Sequence, residues 1–445
     1  MRIRPVHRLI LPLARAILFV ILGNVIFIAL IVVVQGDTAI VAQRIRSAFD
    51  TGELGTSDYR RFDARRGYFQ HNDCLVLQML VNRDPSRWRR AVVPTVYSNP
   101  TYNHWCETLR ELVVERIDPK DLEVMPYGRY WHGGNVVAAL ALRVLDLGTY
   151  RRLLSIGVFL AIGVLALASW RAAPHVRRTG LSIAVCAATV WAVPYFSPGL
   201  TQGPGDALLI LFLAGLAARQ RMAAGPRFRI VPYAAVFGSV VVFCEMFTGQ
   251  LPTAGAWLAA LTLASARDEN ANEENGIGVI VVAALVAFGI GATLTLALKQ
   301  VLAIVAASGQ GEAFVDHLQQ YSGAAGGQEF GLGRLRPFLS LVRQSSMLTY
   351  GSKAAGTLLL TSAAAAWGLA ALRSRRSGPR DRKDFWILAA AAALPLAWVL
   401  VFSEHTHIHA WLMVRMLVVP ISLAVAASVW PRTPLRFVEA SRGSA

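Results

Sequence analysis

The sequence predicts an all-α, polytopic membrane protein: a helical bundle of about 10 spans, an interfacial or re-entrant helix, and a long first extracytoplasmic loop. Three observations predict it. Of 445 residues, 55% are hydrophobic, and the mean hydropathy is +0.45. Apolar runs recur along the whole chain with no soluble domain of ordinary size between them. Arginine and lysine are segregated into alternate loops.

The first apolar run, 11–34, is too long for a signal-peptide core and no clear small-residue cleavage site closes it, so it is read as a retained span. Further spans are expected at 153–170, 181–196, 206–218, 231–246, 251–263, 277–305, 354–372, 385–402 and 410–428, judged against about 20 residues per crossing. The long run 277–305 tilts or extends past the bilayer. The chain is thus expected to form a single integral membrane domain over 1–445, with the first extracytoplasmic loop at 35–152 and the transmembrane bundle at 153–430.

The net charge of +17 invites a nucleic-acid partner, but its distribution argues against one. Arg2, Arg4 and Arg8 precede the first span. Arg177 and Arg178 follow the second, Arg219 to Arg229 the fourth, Arg373 to Lys383 the eighth, and Arg432 and Arg436 the last. All these clusters fall on one side, which the positive-inside rule makes cytoplasmic. The segment 136–147 is left out of the span count, because a crossing there would move the Arg177 and Arg219–Arg229 loops outside. It is read as a helix lying on the outer face. The arginines of the first loop read as a solvated or headgroup-facing surface.

Cysteine is sparse. Cys186 and Cys244 fall in spans as small packing residues. Cys74 and Cys106 share the first loop and can pair in an oxidising compartment, but two cysteines do not make a framework. No zinc-type spacing, internal repeat, Walker loop or dinucleotide fingerprint is present.

The loops expected outside hold the unusual polar residues. Ser403 to His409 places Glu404, His405, His407 and His409 between two apolar runs, with Arg415 inside the second. Ionisable groups so close to hydrocarbon usually mark a site. Asp73 opens the apolar segment 75–81, and the plain account is a helix cap. Tyr127, Arg129, Tyr130, Trp131 and His132 precede the re-entrant helix, and an aromatic belt is the plain account of their rings. Glu245 ends the fifth span, and Lys299 lies late in the seventh, where snorkelling explains it. Turn chemistry explains most of 197–206. Jointly, these residues form a basic, aromatic, partly buried cluster with a few carboxylates, which suits chemistry on a lipid phosphate.

The run Tyr127-Gly128-Arg129-Tyr130-Trp131-His132-Gly133 resembles the Y-x-R-Y-W-H-G signature of a family of bacterial multispanning proteins associated with surface-polysaccharide synthesis. Asp73-Cys74-Leu75-Val76-Leu77 resembles its acidic element, with Val76 in place of Met. Glu245 to Pro252 resembles a degraded form of its T-x-x-F-D region. Lys299 matches an intramembrane lysine, and His405 to Ala410 with Arg415 matches H-T-x-x-H-A…R, leaving His407 extra. The architecture is similar to that of GT-C glycosyltransferases.

That resemblance implies an enzyme of the bacterial inner membrane. It would move a sugar from a polyprenyl-phosphate-linked donor to a glycan or lipid acceptor on the extracytoplasmic face. Asp73 would be the base, with Glu404 second and Glu245 third. Arg129, Lys299, His405 and Arg415 would meet the phosphate, Tyr130, Trp131 and His132 would hold the sugar or acceptor, and His409 would also bind substrate. No cofactor is demanded; Asp and His are ligand types for a divalent metal, but no ligand spacing requires one. The rivals are a lipid-linked glycan flippase, a membrane acyltransferase and a structural subunit of a polysaccharide assembly complex. A transporter would be expected to carry repeats and midplane charges, which the chain does not display.

The topology is testable with reporter fusions or cysteine labelling. Gly55, Gln202, Gln250, Gly326 and Thr406 should all lie outside and Arg177 inside. Arg177 and Thr406 on the same side would sink the arrangement.

Overall fold

The computed structural model describes residues 7–34, 38–61, 67–82, 86–101, 104–129, 131, 133–191, 196–219, 230–244, 249–269, 276–307, 310–322 and 353–430. Every apolar run expected to cross the membrane falls on a helix. They are α1 (His7–Val34), α7 (Leu147–Trp170), α8 (Pro174–Val190), α9 (Gln202–Ala218), α10 (Ile230–Cys244), α11 (Gln250–Glu269), α12 (Ile277–Ala306), α14 (Lys353–Arg376) and α15 (Pro379–Val401). The last run is composite: α16 (Ser403–Ile408) leads to α17 (Ala410–Met413), a 3-10 turn (Val414–Leu417) and α18 (Val418–Val429). A further helix, α13 (Gln310–Ser322), packs on α16.

Leu11–Val34, Leu147–Trp170, Ile277–Ala306 and Pro379–Val401 are each long and apolar enough to cross a membrane, and Gln202–Ala218, Ile230–Cys244 and Val414–Val429 are shorter apolar helices. The chain is an all-α membrane protein. Its lipid-facing surface fits that reading: Leu18, Ile26, Leu160, Val282 and Val305 are exposed, although each would be buried in a soluble bundle.

The bundle centres on α11, which packs against α8, α12 and α15 and is buried along nearly its whole length. α10 and α12, which run parallel with α11 between them in sequence, pack closely on each other. Glycine makes it so: a Cβ on Gly238 would sit 2.0 Å from the Phe288 carbonyl oxygen, and one on Gly291 would sit 1.9 Å from that of Ala235. Small residues allow such backbone approach where lipid gives no hydrophobic drive between helices. Asn24 of α1 adds a polar node, donating to Thr295 Oγ1 at 3.0 Å, while Ser239 and Thr295 share a hydrogen bond of 2.6 Å. Trp257 Nε1 donates to Ser422 Oγ at 2.9 Å, joining α11 to α18.

The helices alternate between two ends. At one end Asp268 receives the N–H groups of His175 and Val176 at 3.1 and 3.0 Å and pairs with the His175 ring at 2.7 Å, so α11 caps the N-terminus of α8. Burial would raise the Asp268 carboxyl, but these hydrogen bonds outweigh it and hold the group below the usual range. Arg267 bridges Asp381 at 2.5 Å and Asp384 at 3.2 Å, and Arg373 donates to the Ser428 carbonyl at 3.0 Å.

At the other end sits a folded loop domain. It contains α2 (Thr38–Asp50), β1 (Tyr59–Arg61), β2 (Gly67–Phe69), α3 (His71–Leu80), α4 (Arg87–Val92), β3 (Thr95–Ser98), α5 (Trp105–Arg110), a π-helical turn (Glu111–Glu115), β4 (Glu123–Pro126) and α6 (Gly133–Ala141). β1 pairs with β2 in antiparallel register, Tyr59 opposite Phe69, and β3 with β4, Thr95 opposite Pro126. These strands of three or four residues are too short to show alternation in sequence. Its core joins Ile45, Leu77, Leu109, Leu142 and Leu147.

The outer-face helix differs from expectation. It covers Gly133–Ala141 rather than 136–147, and α7 begins at Leu147 rather than 153. Asp146 is the reason: its carboxylate accepts from Thr149 N at 2.6 Å and from Thr149 Oγ1 at 2.9 Å, an N-cap that starts a new helix. At about 1.5 Å per residue, α6 is far too short to cross a membrane.

Cys74 and Cys106 form a disulfide, with Cα atoms 5.0 Å apart, that ties α3 to α5. The bond closes a separation of 32 residues, so replacing both cysteines with serine should lower stability by about 3–4 kcal/mol. Alkylation of unreduced, denatured protein should label Cys186 and Cys244 alone. Labelling at all four cysteines would contradict the bond.

Candidate functional site

The predicted site residues begin with Asp73 in the first turn of α3. Gln70 holds the N-cap position without a side-chain capping bond, and the oxygens of Asp73 go elsewhere. Oδ2 accepts from Arg151 Nη2 at 2.7 Å, and Oδ1 accepts from the Leu200 backbone N–H at 2.8 Å. Arg151 also donates to the Glu53 carbonyl at 2.8 Å. Asp73 is 1% exposed. Its carboxylate therefore fastens the loop domain to α7 and to the segment that precedes α9. Both carboxylate oxygens are thus engaged by donors of the protein itself.

That same segment leads to a second buried pair. Arg415, in the 3-10 turn of the last run, donates through Nη2 to Asp206 Oδ2. Asp206 Oδ1 accepts from Gln250 Nε2 at 2.6 Å. The guanidinium carbon lies 4.6 Å from the Trp191 ring centroid and 4.7 Å from that of Phe196. Arg415 is 3% exposed and Asp206 is 0% exposed. Nε and Nη1 of Arg415 have no protein acceptor among the described residues. Burying two such donors beside one carboxylate is costly unless a further acceptor arrives.

The imidazoles stand at the start of α3 and on α16 and its C-cap. His71 Nδ1 is 3.3 Å from Asp58 Oδ2, and Asp58 Oδ1 accepts from the Cys106 N–H at 3.0 Å. Burial would raise the Asp58 carboxyl, but the hydrogen bonds from His71 and Cys106 outweigh it and lower the group. His405 and His409 stack obliquely with ring centroids 4.6 Å apart. Burial, and then the charge of His71, lowers the His409 imidazole to about 4. The loop domain and the last helix pair thus bring their histidines within electrostatic reach. Glu404 is half-buried one residue before His405.

The remaining cations lie apart from the imidazoles. Lys299 is fully buried rather than snorkelling: Nζ donates to the Val92 carbonyl and lies 4.6 Å from the Trp131 ring centroid. Trp131 Nε1 donates to the Thr295 carbonyl at 3.1 Å, and Gln300 to that of Arg129 at 2.5 Å. Arg129 is half-buried, 5.6 Å from the Tyr127 ring. This cluster anchors the loop domain on α12. Tyr130, His132 and Glu245 lie outside the described residues. Among the described residues no three His, Cys, Asp or Glu stand together as a metal site.

Sequence reasoning missed Arg151, Asp206 and Asp58. The signal for Asp206 was present, since a lone carboxylate and a lone guanidinium in apolar runs call for each other. No family model, curated protein or solved structure matches this chain.

Two predictions follow from this geometry. Asp206→Ala strands Arg415 in the interior and should cost about 3–5 kcal/mol, whereas the double variant with Arg415→Met should regain much of it. Equal thermal stability for Asp206→Ala and wild type in one detergent would refute the pair. The second concerns pH. A folded-state imidazole lowered to about 4 binds fewer protons than the unfolded chain, so His409 subtracts stability as pH falls from about 6.5 to 4. His409→Gln should flatten the stability curve in that window, and an unchanged slope would exclude this origin.

Proposed function

We propose that this chain is a GT-C-type glycosyltransferase. It moves a sugar from a polyprenyl-phosphate-linked donor to a glycan or lipid acceptor on the extracytoplasmic face of the bacterial inner membrane. The observation that carries the reading is Arg415, a buried guanidinium with two donors that no described residue accepts, shortly after the stacked His405 and His409 in sequence. The disulfide supports an oxidising compartment for the same end. Nucleotide sugars are cytoplasmic, so a lipid-phosphate donor suits that face. The motif order from Asp73 to Arg415 supports the same class.

The chemistry assigns roles as follows. The acceptor hydroxyl oxygen bonds to the anomeric carbon, and the bond from that carbon to the phosphate oxygen breaks. Polyprenyl phosphate leaves with the bonding pair. Arg415 meets the growing phosphate charge through Nε and Nη1, while Nη2 stays on Asp206. His71, oriented by Asp58, takes the hydroxyl proton, and Glu404 is the alternative acceptor. Asp73 positions the loop rather than taking the proton.

Purified protein given a labelled polyprenyl-phosphate sugar and an acceptor should transfer the label. His71→Gln should lower turnover by about 10²–10⁴-fold. Arg415→Lys keeps a charge for Asp206 but loses the fork, so turnover and donor affinity should fall together while the fold survives. Full turnover in His71→Gln with none in Asp73→Asn would return the base to Asp73. Movement of intact donor across the bilayer without transfer would replace the enzyme with a flippase.

A further inference from the structure

A cavity of about 590 Å³ lies between α2 and the turn that follows α5. None of the proposed site residues lines it. Arg46, Arg116, Gln43, Thr38 and Tyr97 give its polar wall, and Leu112, Val113 and Val81 are among its apolar ones. No lining side chain among the described residues is acidic. Three carboxylates nearby in sequence are engaged elsewhere: Glu111 accepts from Asn99 at 3.2 Å, Glu115 pairs with Arg110 at 2.7 Å, and Asp118 accepts from Lys120 N at 3.0 Å. Two guanidiniums therefore share one concave surface that no acidic side chain lines among the described residues.

The backbone holds both cations in place. Arg46 is fixed by Nε and Nη2 on the Val113 carbonyl, at 3.2 and 2.8 Å, which leaves Nη1. Arg116 follows the π-helical turn Glu111–Glu115 and adopts φ 60, the left-handed region that arginine seldom enters. A π turn and a left-handed non-glycine residue in succession are strain of the kind that collects at binding sites.

The location names the ligand. Thr38 and Ala39 line the cavity, and α1, long and apolar enough to cross a membrane, ends at Val34. The cavity thus opens where a span meets the polar headgroup layer. A phosphate satisfies planar guanidinium donors, and an attached apolar chain satisfies the remaining wall. We propose that this cavity binds the phosphate-bearing headgroup of an anionic membrane lipid, as a site separate from the imidazole cluster and independent of the glycosyltransferase reading.

The test uses the full chain in neutral detergent, titrated with short-chain phosphatidylglycerol, short-chain phosphatidylcholine and inorganic phosphate. Two variants leave the fold alone. Arg116→Asn removes the charge with a residue suited to left-handed backbone, and Gln43→Glu places an acid on the exposed rim. Phosphatidylglycerol should bind more tightly than either control, and each variant should weaken it by about fivefold or more. Equal phosphatidylglycerol affinity in wild type and both variants overturns the site. Equal affinity for phosphatidylglycerol and phosphatidylcholine overturns the anionic preference. Inorganic phosphate binding as tightly as phosphatidylglycerol overturns the lipid as its source.

Discussion

Two buried carboxylate–guanidinium pairs, Asp73–Arg151 and Asp206–Arg415, organise the end of the bundle that carries the loop domain. The segment 196–206 belongs to both. Its Leu200 N–H completes the first pair, its Phe196 ring packs on Arg415, and its last residue is Asp206 itself. A charge in an apolar interior persists only with a partner, so each pair fixes the elements it joins. The first draws the loop domain onto α7, and the second draws the last helix run onto α9. Gly134 shows how closely the parts meet, since a Cβ there would lie 2.5 Å from the Leu200 carbonyl oxygen. With these contacts in place, His71 comes within electrostatic reach of His409, more than three hundred residues away in sequence.

The two ends differ in kind. The end with His175 and Arg267 is closed by ion pairs and by the Asp268 cap on α8. At the loop-domain end, Arg415 keeps two buried donors without an acceptor among the described residues, and His405 and His409 stack shortly before it in sequence. Buried polar groups with capacity to spare are what a site for an anionic substrate requires. The structural burden at that end falls on Asp73, Asp206 and Lys299, each held by a buried hydrogen bond.

The membrane class and the position of the helices were legible in the sequence because apolar runs and charge segregation are local signals. The runs at 11–34 and 277–305 translate almost residue for residue into α1 and α12. What was hidden depends on tertiary partners. Asp206 looked like turn chemistry because its partner is 209 residues away. Asp73 looked like a cap, and only the fold reveals Arg151 and Leu200. Lys299 looked like a snorkelling lysine until Val92 and Trp131 closed over it. The short strands and the Cys74–Cys106 bond depend likewise on contacts that periodicity does not encode.

The central claim is that the two buried pairs act as one unit through the segment they share. Thermal unfolding of wild type, Asp73→Asn, Arg415→Lys and the double variant, in one detergent at one pH, tests it as a double-mutant cycle. Coupling predicts that the double variant departs from the sum of the single effects by about 1 kcal/mol or more. Strict additivity would show that the pairs are independent and contradict the claim.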